Sequence, residues 1–505
     1  MSSYQTKKTP GDTAWFTHDR FGMFIHWGLY AMPARHEWIK TRERMTDESY
    51  DRYFRHFDPD LYDPKQWARL AKAAGMKYAV MTAKHHEGFC MFDSQYTDYK
   101  CTNTPAGRDL LREYVDAFRA EGLRVGFYYS LIDWHHPDFT VDMLHPRRDD
   151  PQAQTLNEGR DMRRYARYMR NQVTELLTNY GKIDILWFDF SYSERHDGAP
   201  WMRGKGREDW ESEELIATAR SLAPDLIIDN RAEVDQDVWT PEQYQPKAWL
   251  RHPQTGELVT WEACQTLSGS WGYYRDEMTW KSPEMLIRML VETVSLGGNF
   301  LMNVGPTARG YLDSRAQEAL EVYARWMQVH SRSIYGCTMA EPSFQAPQDC
   351  RLTQSADGKR LYVHLFAYPF AYLEFHGLAG KVDYVQFLHD ASEVRFTEGK
   401  VDHFSLGATQ AADLLVLELP AVKPDVLVPV REISLKDCPT DWGAPIRTAA
   451  PGRGVGTEKP PPFFVRRDFS PGTDGGAGKL RLTKSPIHGK TSSRKAGVLP
   501  VKKER

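Results

Sequence analysis

The chain reads as an α/β protein: a (β/α)8-like (TIM-type) barrel followed by a small antiparallel β-sandwich domain and a disordered basic tail. Three observations predict this. Between about residues 12 and 335, short apolar runs of strand length alternate with amphipathic helical stretches, which implies parallel pairing. So many units over roughly 330 residues suit a closed barrel better than an open sheet. From 336 to 435 the helical period stops and short β-like runs follow one another.

Taken in order, the first strand is 21–27. A helix at 64–74, with Trp67, Leu70, Ala71 and Ala74 on one face, stops at Gly75 and leads into a strand at 77–82. Helix 109–121 precedes strand 124–130, and helix 160–179 precedes strand 183–189. That last strand, Ile-Asp-Ile-Leu-Trp-Phe-Asp, is apolar enough to be buried on both faces and ends on a carboxylate. Helix 211–222 leads into strand 225–230. Strand 259–264, helix 283–296, strand 299–304 and helix 314–330 complete the barrel. In the second domain, strands are expected at 361–367, 382–388, 392–397 and 414–419.

Composition bounds the function. With 41% hydrophobic and 26% charged residues, the 505-residue chain is ordinary for a globular protein. Its 15 Trp and 25 Tyr suit stacking on planar or sugar ligands. Six scattered Cys without a CxxC pair indicate neither a zinc site nor a disulfide framework. The first residues hold no apolar leader core and no apolar run would span a membrane, so the chain as written reads as cytoplasmic; an unrecognised leader would make it periplasmic or secreted. Residues 449–505 carry 13 Lys+Arg against 4 Asp+Glu, a net of +9 that leaves −12 on the rest. Rich in Gly, Pro and Ser, this segment reads as a solvated, disordered extension, and no nucleic-acid partner is expected. Neither GxGxxG after a first strand nor GxxxxGK[ST] occurs, which removes the main support for dinucleotide or P-loop binding.

Chemistry gathers at the strand ends. Strand one delivers His26-Trp27-Gly28, and strand two runs into Lys84-His85-His86-Glu87. Strand three gives Tyr128-Tyr129-Ser130, and strand four gives Trp187 and Asp189. Strand five gives Asp229-Asn230-Arg231, with Glu242 soon after. Apolar residues would fill a barrel mouth better, so five such strands in succession mark a site at their carboxyl ends. Imidazoles, carboxylates, a guanidinium and aromatics such as Trp187 and Trp271 suit sugar hydroxyls and the apolar face of a sugar ring. The His spacing matches neither HExxH nor an HxH pair, so no metal is indicated.

Several stretches make the family recognisable. They are Phe21-Gly22-Met23-Phe24-Ile25-His26-Trp27-Gly28, Glu37-Trp38, and Lys84-His85-His86-Glu87-Gly88-Phe89. Farther on come Tyr128-Tyr129-Ser130, Leu186-Trp187-Phe188-Asp189, Trp261-Glu262, Ser270-Trp271-Gly272-Tyr273, and Gly297-Gly298-Asn299-Phe300-Leu301-Met302-Asn303-Val304. Over about residues 14–335 the chain resembles the α-L-fucosidases of glycoside hydrolase family 29. The resemblance implies a retaining glycosidase that removes terminal α-L-fucosyl residues from fucosylated glycans through a covalent intermediate. It implies Asp189 as nucleophile, with His26, Glu37, Trp38, His85, His86, Tyr128, Trp187, Arg231 and Trp271 lining the sugar pocket. The acid/base is implied to be Glu242, in a Thr-Pro-Glu step. Glu262 is the runner-up, although its place inside a strand favours a structural role, and Glu233 is third. Phe190 departs from the family pattern, standing after the nucleophile where relatives often have Gly or another residue, and bears on the aglycone side. No metal or organic cofactor is expected. The alternatives are a non-catalytic fucose-binding relative and a metal-dependent barrel hydrolase using His26, His85 and His86. A related sugar of L-galactose-like stereochemistry and a homo-oligomer both stay open.

Overall fold

The computed structural model describes residues 4–195, 199–403 and 407–436; the tail expected at 449–505 lies outside the described residues. Seven strands form one parallel sheet: β1 (Phe21–Ile25), β2 (Tyr78–Lys84), β3 (Arg124–Ser130), β4 (Ile185–Asp189), β5 (Ile227–Ile228), β6 (Glu262–Thr266) and β7 (Asn299–Val304). Their order is β5-β4-β3-β2-β1-β7-β6. The two outer strands, β5 and β6, are joined by residues 238–242 through parallel bridges Asp229–Val238, Trp239–Trp261 and Glu242–Cys264. Trp239 N–H donates to Thr260 O at 3.0 Å, Glu262 N–H to Trp239 O at 2.8 Å, and Cys264 N–H to Pro241 O at 3.1 Å. This segment is the eighth stave of the barrel, and it carries Glu242.

Strand β1 ends two residues before its expected limit and β2 runs two residues past its own; three others, β4, β5 and β6, are altered because a side chain or loop takes the ladder's place. Asp184 Oδ2 accepts the Val125 N–H at 3.0 Å, and β4 begins two residues later than expected, at Ile185. The Asp237 carboxylate accepts the Ile228 N–H at 2.8 Å, which confines β5 to two residues. Val259 N–H donates to Leu250 O in a neighbouring loop at 3.1 Å, and β6 starts only at Glu262. The helices match closely: Pro64–Ala73, Leu110–Ala120, Met162–Asn179, Ser212–Leu222, Pro283–Ser295 and Ser314–His330. Asp63, Asp109, Asp161, Ser282 and Asp313 cap five of them with a side-chain oxygen. A further helix, Asp47–His56, is unexpected.

Beyond the barrel lie β8 (Cys337–Met339), β9 (Cys350–Ser355), β10 (Arg360–Leu365), β11 (Tyr372–His376), β12 (Val382–Phe387), β13 (Phe396–His403), β14 (Gly407–Glu418) and β15 (Val430–Leu435). They form a five-stranded sheet, β12-β15-β10-β9-β8, and a three-stranded sheet, β11-β14-β13. Leu361, Val363, Val385, Phe387 and Ile433 from the first meet Leu373, Phe375, Leu415 and Leu417 from the second in one apolar core. The other face of the five-stranded sheet packs on the barrel, where Tyr362 and Val430 join the main core and Trp326 Nε1–H donates to Leu427 O at 3.0 Å. Enclosure on both sides explains why five of the six residues of β10 are buried, whereas β11 alternates strictly. The strand expected at 392–397 is displaced to Phe396–His403, because residues 388–394 turn tightly back: Val394 N–H donates to Val385 O at 2.9 Å.

Truncating Phe375, 1% exposed between the two sheets, should cost about 3–5 kcal/mol. Removing the helix cap in Asp313→Ala should cost only about 1 kcal/mol. Thermal midpoints of the two variants, measured side by side, check the order.

Candidate active site

The carboxyl ends of the strands converge on Asp189, the last residue of β4. Its two oxygens face different partners. Oδ2 accepts the Tyr128 hydroxyl from the end of β3 at 2.7 Å and lies 3.9 Å from His86 Nε2. Oδ1 accepts Arg231 Nη1 at 2.8 Å, and the same Nη1 donates to Glu242 Oε2 at 2.8 Å. The two carboxylates therefore share one guanidinium nitrogen. The Asp189 side chain is 11% exposed and that of Glu242 39%, so one is deep and the other stands at the opening.

Arg231 is itself held on three sides. Nε donates to Thr240 Oγ1 at 2.8 Å, Nη2 donates to Thr240 O at 3.1 Å, and the guanidinium lies 4.4 Å over the Trp187 ring. Burial and the charge of Glu242 raise the Asp189 pKa; Arg231 and the Tyr128 hydrogen bond oppose them without cancelling them. Burial, with Asp189 beside it, pushes the Tyr128 phenol well above its ordinary range, so it stays a donor.

A ring of aromatic and imidazole groups surrounds the pair. His26 lies 5.0 Å from Trp271, 5.2 Å from Tyr128 and 5.7 Å from His85. His85 and His86 are 4.0 Å apart, past the pleat where both turn inward, and Trp38 meets His86 at 4.8 Å. Tyr128 stacks on Trp187 at 5.9 Å. Each histidine has one nitrogen tied to a neighbour: His26 Nδ1 to Asn303 Oδ1 at 2.7 Å, His86 Nδ1 to Ser130 Oγ at 2.7 Å, and His85 Nδ1 to Glu87 Oε2 at 3.3 Å. That leaves the opposite nitrogen of each ring for a ligand. Among the described residues, no group of three or more His, Cys, Asp or Glu is arranged to hold a metal ion.

Glu37 is fixed by a loop from the far side of the barrel. Its Oε2 accepts the N–H groups of Trp271 at 3.2 Å and Gly272 at 3.0 Å. Burial raises its pKa, but His36 alongside and the Gly272 N–H outweigh that, and the net shift is downward. The approach needs glycines. A Cβ on Gly305 would lie 2.8 Å from the Gly272 and Trp271 backbone, and one on Gly272 would lie 2.8 Å from the Tyr30 ring.

All the residues expected to line the site are thus brought together: His26, Glu37, Trp38, His85, His86, Tyr128, Trp187, Asp189, Arg231, Glu242 and Trp271. The two other acid candidates are elsewhere. Glu262 opens β6 at the amino end of the barrel, pairs in register with Asn299, and accepts the Tyr78 hydroxyl. Burial raises it to about 7. Glu233 accepts Ser193 Oγ at 2.8 Å and the Arg207 N–H at 2.9 Å, within a loop. Trp27 faces outward to Phe57, Tyr62 and Trp67 in the helical layer. Three supporting residues went unassigned in the sequence. Asn303 ties His26 to the Trp271 carbonyl, His36 pairs with Glu37 at 3.1 Å, and Asp229 accepts the Phe188 N–H at 3.1 Å. Adjacency of His36 to Glu37, and of Asp229 to the strand end, was the available signal.

Phe190, next to the nucleophile candidate, has φ +85°. A bulky side chain in that region costs on the order of 1–3 kcal/mol and persists only when surroundings hold it. Here they are aromatic: Trp38 at 5.0 Å, His86 at 5.3 Å and Tyr192 at 5.5 Å.

A family model described as alpha-L-fucosidase matches residues 2–332. Plasma alpha-L-fucosidase from Homo sapiens is 29% identical over 470 residues, covering 85% of this chain and 88% of its own. Alpha-L-fucosidase isoenzyme 1 from Paenibacillus thiaminolyticus superposes with a TM-score of 0.77 at 46% identity, covering 84% of this chain and 99% of its own. A family 29 alpha-L-fucosidase from Bacteroides thetaiotaomicron, trapped as a covalent intermediate with 2-fluoro-fucosyl fluoride in a glutamate-to-glutamine mutant, superposes at 0.71 and 25% identity. That match covers 86% of this chain and 98% of the other.

Burial, then the neighbouring His85, lowers His26 to about 3, and burial holds His86 well below its ordinary value. Both rings are neutral in the folded protein, while the unfolded chain takes up protons near pH 6.5. Their contribution to stability is therefore complete above about pH 6.5 and is lost progressively as pH falls toward 3. Thermal midpoints across that window should decline, and His26→Gln should flatten the decline.

Proposed function

The chain belongs to the alpha-L-fucosidase family of glycoside hydrolases, and on that premise we propose that Asp189 is its nucleophile and Glu242 its acid/base. The protein is a retaining alpha-L-fucosidase acting on fucosylated glycans. One observation carries the assignment of roles: Arg231 Nη1 at 2.8 Å from both carboxylates. Oxygens sharing one nitrogen can be no farther apart than the sum of those distances. That limit on the nearest oxygens is compatible with the separation of about 5–5.5 Å between the carboxyl groups of retaining enzymes.

In the first step Asp189 attacks the anomeric carbon and the glycosidic C–O bond breaks. Glu242, at the open side, gives its proton to the departing oxygen. In the second step Glu242 takes a proton from water, the water oxygen bonds to the anomeric carbon, and the Asp189 ester bond breaks. Before the first step the negative charge is on Asp189; in the intermediate it is on Glu242. Arg231 touches both, so it balances one charge throughout without moving. Burial favours the reaction from the other direction, since forming the ester removes a charge from a site with little water. Tyr128 donates to the oxygen that Arg231 does not hold and orients the attack. The histidines, Glu37 and Trp38 meet hydroxyls, and Trp187 and Trp271 meet the apolar parts of the sugar.

With 4-nitrophenyl α-L-fucoside, Asp189→Ala should abolish detectable turnover. Glu242→Ala should lose about 10²–10⁴-fold on substrates that need protonation, and added azide should restore turnover with an α-configured fucosyl azide as product. Azide passing through the Asp189→Ala site should instead yield the β-configured azide. Glu262→Gln should show no azide rescue; rescue there and not in Glu242→Ala would reverse the assignment.

A further inference from the structure

We propose that Phe190 is a specificity-determining residue: an aromatic wall beside the nucleophile that closes the sugar pocket to fucosyl units carrying a substituent on a ring hydroxyl. The inference rests on the fucosidase reading and adds the kind of fucose accepted.

Asp189 divides its surroundings. On the Oδ1 side stand Arg231 and Glu242, and the leaving group must depart there, because Glu242 is the open carboxylate and the proton donor. On the Oδ2 side stand Tyr128 and His86. Two of the ring partners of Phe190 stand on this second side, His86 itself and Trp38, which packs against His86; Tyr192 and the Arg195 guanidinium at 6.0 Å complete its surroundings. Arg231 lies instead over Trp187. On this reading Phe190 bounds the bound sugar itself, where the sequence points to the aglycone side. Its neighbours His86 and Trp38 present the polar groups that would meet the hydroxyls near the anomeric carbon. A half-buried, nonpolar ring packed on both of them would crowd a methyl, a sulfate or a branching sugar on such a hydroxyl. The left-handed backbone at Phe190 points to the same role. A glycine would relieve the strain, yet the side chain is kept and clasped between two rings that line the pocket.

The experiment compares kcat/KM for 4-nitrophenyl α-L-fucoside with its 2-O-methyl and 3-O-methyl derivatives, in wild type, Phe190→Ala, Phe190→Gly and Phe190→Leu. Turnover of the parent by wild type tests the fucosidase reading separately. Wild type should reject at least one methylated substrate, and Phe190→Ala and Phe190→Gly should each reduce that discrimination by at least about tenfold. Phe190→Leu, which keeps bulk, should reduce it less and serves if the smaller variants do not fold. Phe190→Gly should melt higher than Phe190→Ala, since only glycine relieves the left-handed backbone. Discrimination that is absent in wild type, or unmoved in folded variants, overturns the proposal. So does a change confined to the preference between 4-nitrophenyl and disaccharide leaving groups.

Discussion

One guanidinium between two carboxylates organises the centre of this molecule. A buried charge pair broken on one side is strongly destabilising, because the remaining charge has neither water nor partner. Arg231 avoids that state by touching both acids at once. Its own position depends on Thr240, which receives two of its hydrogen bonds, and Thr240 lies in the stave that joins β5 to β6. Barrel closure and charge balance therefore use the same short segment. Where 238–242 sits decides where Arg231 sits, and Arg231 decides the distance between the acids.

Around this pair the pocket is polar but carries few charges. Burying the neutral imidazoles of His26 and His86, each hydrogen-bonded on one side, costs far less than burying ions. Asn303, Ser130 and Glu87 each anchor one ring, and the resulting orientation leaves the pocket nitrogens in fixed places before any sugar arrives. The same preparation applies to Glu37, whose carboxylate is seated on two backbone N–H groups through the contact between Gly272 and Gly305.

Much of this was legible in the chain, and the rest was not for identifiable reasons. Strands such as Arg124–Ser130 and Asn299–Val304 announce themselves by apolar runs with polar ends, and His26, Asp189 and Arg231 could be placed by position alone. The eighth stave could not. Val238-Trp239-Thr240-Pro241-Glu242 contains a proline that has no N–H to give to a ladder, and it pairs by isolated bridges. Asp184 and Asp237 were invisible as strand terminators because a side chain replacing a backbone partner leaves no periodic trace. In the sandwich, Cys337–Met339, Cys350–Ser355, Tyr372–His376 and Val430–Leu435 were missed: none has a long apolar run, and Arg351, Thr353, Gln354, Arg431 and Glu432 break up the pattern of two of them. Glu262 shows the converse: a conspicuous Trp-Glu pair whose carboxylate points to a tyrosine at the opposite end of the barrel.

The two acids differ in how they are mounted. Asp189 belongs to a strand laddered to β3 along its whole length, while Glu242 ends a stave attached at three bridges. Sequence change between residues 232 and 250 thus has a low threshold for shifting Glu242 and the guanidinium beside it, while the backbone that carries Asp189 stays fixed by its ladder. Divergence, natural or by design, can remodel the departure side of such an enzyme while the attacking atom keeps its coordinates.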